Sequence, residues 1–202
     1  MDFSYDLFVS YSTDPDYALV RHVESSLESF HQHPAILTLR LKELSICVDG
    51  SDFKLPHPAC PEHLAEVKPV LEFYLSRCRY LLICCSTASR TSSWVRFELE
   101  WFLANRGADS ILLAVTEGED PATLPRQVFS DTIIGAGLHK KPWYDFRGFN
   151  VRHPSGWSKV RDFDDAWLAL AAHLNGRALS DVRPQWRDRK STRLNSSHRT
   201  GS

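Results

Sequence analysis

The sequence predicts an α/β fold built on a central parallel sheet, and three observations carry that expectation. Short apolar segments recur along the chain, each followed by polar turn residues. Between them lie stretches whose apolar residues return every three or four positions, the spacing of one helix face. Two of the segments, 80–85 and 111–115, are apolar throughout, which suits strands covered on both faces, as in a parallel sheet.

Taken in order, Tyr5-Asp6-Leu7-Phe8-Val9-Ser10-Tyr11 reads as a buried strand ending in polar residues. Asp14-Pro15-Asp16 offers a turn and a helix start, with proline near the first helical position. From Tyr17, Leu19 or Val20, Val23, Leu27 and Phe30 follow at helical spacing, with Glu24 and Glu28 expected on the solvent face. Leu44 to Val48 reads as a second strand, closed by the turn residues Asp49-Gly50-Ser51-Asp52. A loop punctuated by Pro56, Pro58, Pro61 and Pro69 follows, and helical periodicity resumes over Val67 to Ser76.

Tyr80 to Cys85 is the expected central strand. Ser92 or Ser93 is placed to cap the next helix, Trp94 to about Asn105, because a serine oxygen accepts from the free N–H groups of a first turn. Gly107 is placed to end it. Ile111 to Val115 is a further buried strand and Trp143-Tyr144-Asp145 a weaker one. Asp162 to Leu174 closes the series as an amphipathic helix with Phe163, Trp167, Leu170 and Leu174 on one stripe and Gly176 behind it. The alternation calls for right-handed crossovers and helices on both faces of the sheet. A flavodoxin-like, five-stranded order 2-1-3-4-5 is the expected topology, with the site at the carboxyl ends of the strands.

Composition narrows the function. The chain of 202 residues is 43% hydrophobic and 24% charged, as expected for a packed domain. Its formal net charge of −1 argues against a nucleic-acid binder. No apolar run approaches the roughly 18 to 20 residues of a membrane span. The opening residues Met1 to Asp6 carry acids instead of a basic stretch, so the expectation is a cytoplasmic protein without a signal peptide.

The five cysteines form no repeating framework, and Cys47, Cys84 and Cys85 sit in apolar runs as small hydrophobes. His57, Cys60 and His63 are spaced by threes but lack a fourth ligand and a ligand-pair spacing, so no metal is expected. No glycine-rich phosphate loop is present, which excludes a nucleotide triphosphatase within this segment. A response-regulator receiver needs an acidic cluster after the first strand, and Ser10-Tyr11-Ser12 supplies none.

One carboxylate stands out. Trp94 and Glu98 lie four residues apart and share a helix face, with Trp101 nearly in line, whereas Glu100 points roughly 200° away. A lone carboxylate on an otherwise apolar helix face is costly to bury without a partner or a pocket. The residues alone leave two readings open: a salt bridge to Arg77, Arg79 or Arg90, or a functional group. Cys84 and Cys85, in contrast, belong to a central strand and read as structural.

Three separated segments together resemble a TIR (Toll/interleukin-1 receptor) domain of the bacterial NAD-cleaving type. Tyr5 to Tyr11 resembles the family's opening strand motif. Cys47-Val48-Asp49-Gly50, leading into a long loop, stands in the place of the family's BB loop. Ser93-Trp94-Val95-Arg96-Phe97-Glu98-Leu99 resembles the tryptophan-to-glutamate helix of the NAD-cleaving members. The resemblance runs to about residue 178.

It implies a domain over 1–178 in which Glu98 is catalytic and Ser10, Tyr11, Ser12, Asp49 and Trp94 bind substrate. NAD would be the substrate, cleaved at the nicotinamide–ribose bond with no further cofactor. The segment Cys60 to Val67 departs from the compact loop of animal members, so only Asp49 at the loop's base is carried over. The resemblance also implies homotypic assembly with other TIR domains, a role in bacterial immunity against phage, and a C-terminal sensor or nucleotide-binding module in the full-length protein. The competing reading is a non-catalytic interaction module, which leaves the Trp94/Glu98 pair without a purpose.

Residues 179–187 are expected to be a linker. From Asp188 to His198 the chain resembles an in-frame translation of a short-read sequencing adapter, so 188–202 is expected to be artefactual, or a disordered tail, with the natural reading frame continuing past about Arg187. This basic stretch carries a balance of +3 within a chain of net −1, which leaves the preceding residues mildly acidic.

Overall fold

The five strands pair in the order β2-β1-β3-β4-β5, all parallel. This is the architecture of the computed structural model, which describes residues 3–34, 36–48, 64–118, 123–147, 149 and 161–186. The strands are β1 (Tyr5–Ser10), β2 (Ile46–Val48), β3 (Cys78–Cys85), β4 (Ile111–Val115) and β5 (Tyr144–Asp145). The helices are α1 (Thr13–Glu28), α2 (Leu64–Leu75), α3 (Thr87–Thr91), α4 (Ser93–Asn105), α5 (Leu124–Val128), α6 (Asp131–Gly135) and α7 (Arg161–Leu174). The fold class is the flavodoxin-like one the sequence predicts.

The period of two along each strand splits the core into two layers. Leu7, Val9, Leu82, Cys84, Leu112 and Ala114 face α1 and α7, where Val20, Val23, Leu27, Trp167 and Leu170 close the layer. Phe8, Leu81, Ile83, Cys85, Leu113 and Val115 face α2, α4 and α6, where Leu71, Leu75, Val95, Leu99, Phe102 and Ile133 pack on them. Ser10 keeps the parity of Phe8 and so belongs to the α4 side.

Several expectations need correction. Glu24 on α1 is buried, not solvent-facing, and its carboxylate takes the Arg21 guanidinium at 2.6 Å. Glu28 is half-buried and accepts from the backbone N–H of Ile46 at 3.4 Å, so it braces the start of β2. Pro69, assigned to the loop, lies inside α2, where it removes one helix donor.

The packed domain also extends beyond residue 178. Residues 179–186 are helical, with Val182 fully buried in the α1/α7 layer. Trp186 lies 4.3 Å from the His33 ring and 5.4 Å from Trp167, centre to centre. Leu179, Val182 and Trp186 sit at helix-face spacing, so this segment is a further packed helix, not a linker. The residues from 187 onward lie outside the described part of the chain, as do Asp49, His57, Cys60, His63 and the side chain of Phe163. No helix among the described residues is long and apolar enough to cross a membrane.

Candidate functional site

The strand order reverses between β1 and β3, and open α/β sheets take their ligands at the carboxyl ends beside such a reversal. Ser10 ends β1 there, and α4 follows β3 on the face to which Ser10 points. Ser92 sets the start of α4 by accepting from the Val95 N–H at 3.4 Å, as the sequence predicts for a serine cap. The helix ends as Gly107 adopts a φ of +82° and donates its N–H to the Phe102 carbonyl. Between these ends, one face of α4 buries Trp94, Val95, Glu98, Leu99 and Phe102, while Arg96 and Glu100 are exposed.

The Ser10 hydroxyl donates to Glu98 Oε2 at 2.5 Å across 88 residues of sequence. Ser10 is 1% and Glu98 7% exposed, so the contact is nearly free of bulk water. The three arginines considered as salt-bridge partners of Glu98 are engaged elsewhere. The Arg77 guanidinium lies 3.4 Å from the Phe73 ring centre, Arg79 stands over Tyr80, and Arg90 donates to the Arg126 carbonyl. Trp94, one turn before Glu98, is 8% exposed, and its indole Nε1 is buried without a hydrogen-bond partner among the described residues.

The other expected binding residues divide. Tyr11 turns to the opposite layer, packs against the α1/α7 core and has its ring 6.4 Å from that of Tyr17. Ser12 occupies the capping position of α1 without a side-chain cap. Structure thus joins Ser10 to Glu98 and sets Tyr11 apart on the other side of the sheet.

A second buried carboxylate, overlooked in the sequence reading, lies at the same end of the sheet. Asp16 is 2% exposed. Its Oδ2 accepts from the Ser86 hydroxyl at 2.9 Å, just past β3, and its Oδ1 accepts from the Thr116 hydroxyl at 2.7 Å, just past β4. Burial pushes its acidity constant above the ordinary 3.8, with the charge of Glu117 adding to the rise, against the downward pull of the hydrogen bonds from Thr116, Ser86 and Ser12. The signal for it was present: Asp16 stands three and four positions before Leu19 and Val20, on the stripe that α1 buries. Cys84 and Cys85 are fully buried behind it, and burial raises both thiols far above the range in which a thiolate attacks.

No protein-family model and no curated protein matches the chain. Among solved structures the chain is similar to the TIR domains of the activated Roq1 resistosome directly recognizing the pathogen effector XopQ. The match has 16% identity and a TM-score of 0.41, over 83% of this chain and 84% of that one. A likeness at that level is one of outline, and it is the strand order of the sheet itself that establishes the fold class.

Proposed function

We propose that this chain is a TIR-type effector domain that cleaves NAD at the nicotinamide–ribose bond, with Glu98 as the catalytic carboxylate. The observation that carries the reading is the place of Glu98: a buried carboxylate at the carboxyl end of the sheet, held by the Ser10 hydroxyl at 2.5 Å and flanked by Trp94. The motif resemblance over Tyr5–Tyr11 and Ser93–Leu99 supports the same assignment.

The chemistry asks little of the protein. Nicotinamide leaves as a neutral ring from a cationic one, so no proton need be delivered to it. What develops is positive charge on the ribose, of oxocarbenium character, and a fixed carboxylate in a poorly hydrated site stabilises that charge. Ser10 fixes one oxygen of Glu98, which spares the carboxylate from reorienting as the bond breaks. Trp94 supplies an apolar wall and an indole N–H for the substrate. Ser12, and Asp49 outside the described residues, complete the binding set. The product is ADP-ribose or its cyclic form.

Activity in this reading depends on assembly, since a neighbouring copy helps to build the site, and it belongs in the cytoplasm beside a C-terminal sensor or nucleotide-binding module in bacterial immunity. The test is nicotinamide release from the purified protein under forced oligomerisation. Wild type releases nicotinamide, and Glu98→Ala and Glu98→Gln do not. Equal release by wild type and both variants refutes the assignment to Glu98. No release by wild type even when oligomerised favours a non-catalytic interaction module.

A further inference from the structure

We infer that Asp16 is a positioning residue that sets where α4 holds Trp94 and Glu98; the inference rests on the reading of Glu98 as the catalytic carboxylate. A set of hydrogen bonds leads from Asp16 to the cap of α4, the helix that carries Glu98. The Ser86 hydroxyl gives its single proton to Asp16 Oδ2 and accepts from the Ser89 N–H at 3.2 Å. The Ser89 hydroxyl accepts from the Ser86 N–H at 2.8 Å, closing the capping box of α3. The Ser89 carbonyl takes the Ser92 N–H at 3.2 Å, and Ser92 in turn caps α4.

The direction of the protons gives Asp16 its role. An ionised carboxylate accepts only, so it fixes the Ser86 hydroxyl as donor toward itself and leaves a Ser86 lone pair for the Ser89 N–H. The cap of α4, the helix that carries Glu98, is therefore tied back to one buried group. Thr116 adds the end of β4 to the tie, and its hydroxyl also lies 3.3 Å from the Cys85 carbonyl.

That last distance distinguishes geometry from charge. In Asp16→Asn the side-chain carbonyl still accepts from Ser86, while the amide donates to the Thr116 oxygen, whose proton turns to Cys85. The tie survives without the charge. In Asp16→Ala it does not.

The experiment compares Asp16→Asn and Asp16→Ala by NAD-cleavage kinetics under forced oligomerisation and by the indole N–H resonance of Trp94, assigned with Trp94→Phe. Asp16→Ala should lower kcat at least ~10-fold with KM changed less than about threefold, as a misplaced group does. It should also move the Trp94 resonance, and Asp16→Asn should restore both. If Asp16→Ala fails to fold, Ser86→Ala breaks the same path and should give the same loss and the same displaced resonance. A wild-type rate and an unmoved resonance in Asp16→Ala or Ser86→Ala overturn the inference. So does an Asp16→Asn protein as inactive as Asp16→Ala with its resonance unmoved, which would mean that the charge itself acts. Should wild type cleave no NAD, the catalytic reading fails alone, and the resonance of Trp94 still decides whether Asp16 positions α4.

Discussion

Removing the Ser10 hydroxyl gives a direct reading of what surrounds Glu98. Ser10→Ala deletes the donor that stands 2.5 Å from Glu98 Oε2, with both residues buried. A hydrogen bond to an ionised partner contributes about 1.5 to 3 kcal/mol, and its loss strands part of a buried carboxylate. In a domain of this size that corresponds to a fall in Tm of roughly 3 to 12 °C. Glu98→Gln acts in the opposite sense. Its amide oxygen still accepts from Ser10, while the desolvated charge is gone, so Tm should hold or rise even as NAD cleavage falls about 10²- to 10³-fold. In the Glu98→Gln background the Ser10 bond joins neutral partners and contributes only about 0.5 to 1.5 kcal/mol. Guanidinium unfolding of the four proteins, fitted with a common slope, should therefore show Ser10→Ala costing about 1 kcal/mol less in the Glu98→Gln background than in wild type. An equal cost in both backgrounds would show that the bond carries no charge. A Glu98→Gln protein that unfolds earlier than wild type would show that the carboxylate is there to hold the fold, and the catalytic reasoning would fail with it.

Three other outcomes follow from the same contacts. Because burial raises Asp16 above its ordinary 3.8, its contribution to stability is fully present below that pH and lost as pH rises through the folded value. Asp16→Asn, neutral at every pH, should unfold later than wild type at neutral pH in denaturant titrations, with the gap closing toward acid; a gap that widens toward acid contradicts the sign. Val182, fully buried, loses two methyl groups in Val182→Ala and should destabilise the domain by about 1.5 to 2.5 kcal/mol. A chain ended at residue 178 should melt well below one ended at 187, and equal melting curves would return 179–186 to the status of a linker. Trp94→Phe removes a buried indole N–H with no partner among the described residues, so its stability cost should stay below about 1.5 kcal/mol while KM for NAD rises; a cost near 3 kcal/mol with KM unchanged would make Trp94 a packing residue only.

The strands were legible because two of them, 80–85 and 111–115, are apolar at every position, and only a strand buried on both faces asks for that. Glu98 was legible for a related reason, as one charge among the apolar residues that α4 buries. Asp16 was not, because Asp14-Pro15-Asp16 is an ordinary helix opening and its burial depends on hydroxyls 70 and 100 residues away. The helix over 179–186 was hidden by Gly176, whose positive φ of 63° stops α7 as the sequence suggests without ending the domain. Local chemistry marks where one helix stops; it does not mark whether the next one finds an apolar layer to join. Glu24 misled through the same gap, since Arg21 one turn earlier supplies the charge that makes its burial tolerable.

On the proposed reading, the two buried carboxylates at the strand ends divide holding from reacting. Asp16 accepts from two hydroxyls and is 2% exposed, so its oxygens are committed to the protein. A group so enclosed has little left to offer a ligand, and its elevated acidity constant is the energetic trace of the burial. Glu98 sits on a helix whose neighbouring Trp94 keeps a buried N–H without a partner among the described residues. An orphan donor of that kind costs about 1 to 3 kcal/mol, and folds retain such costs where binding or catalysis repays them. Asp16 is too enclosed to reach a substrate, whereas Glu98, one turn past Trp94 on α4, takes the end of β1 through Ser10. The site is built on a carboxylate that the fold holds at a cost, steadied through three serines by one that the fold encloses.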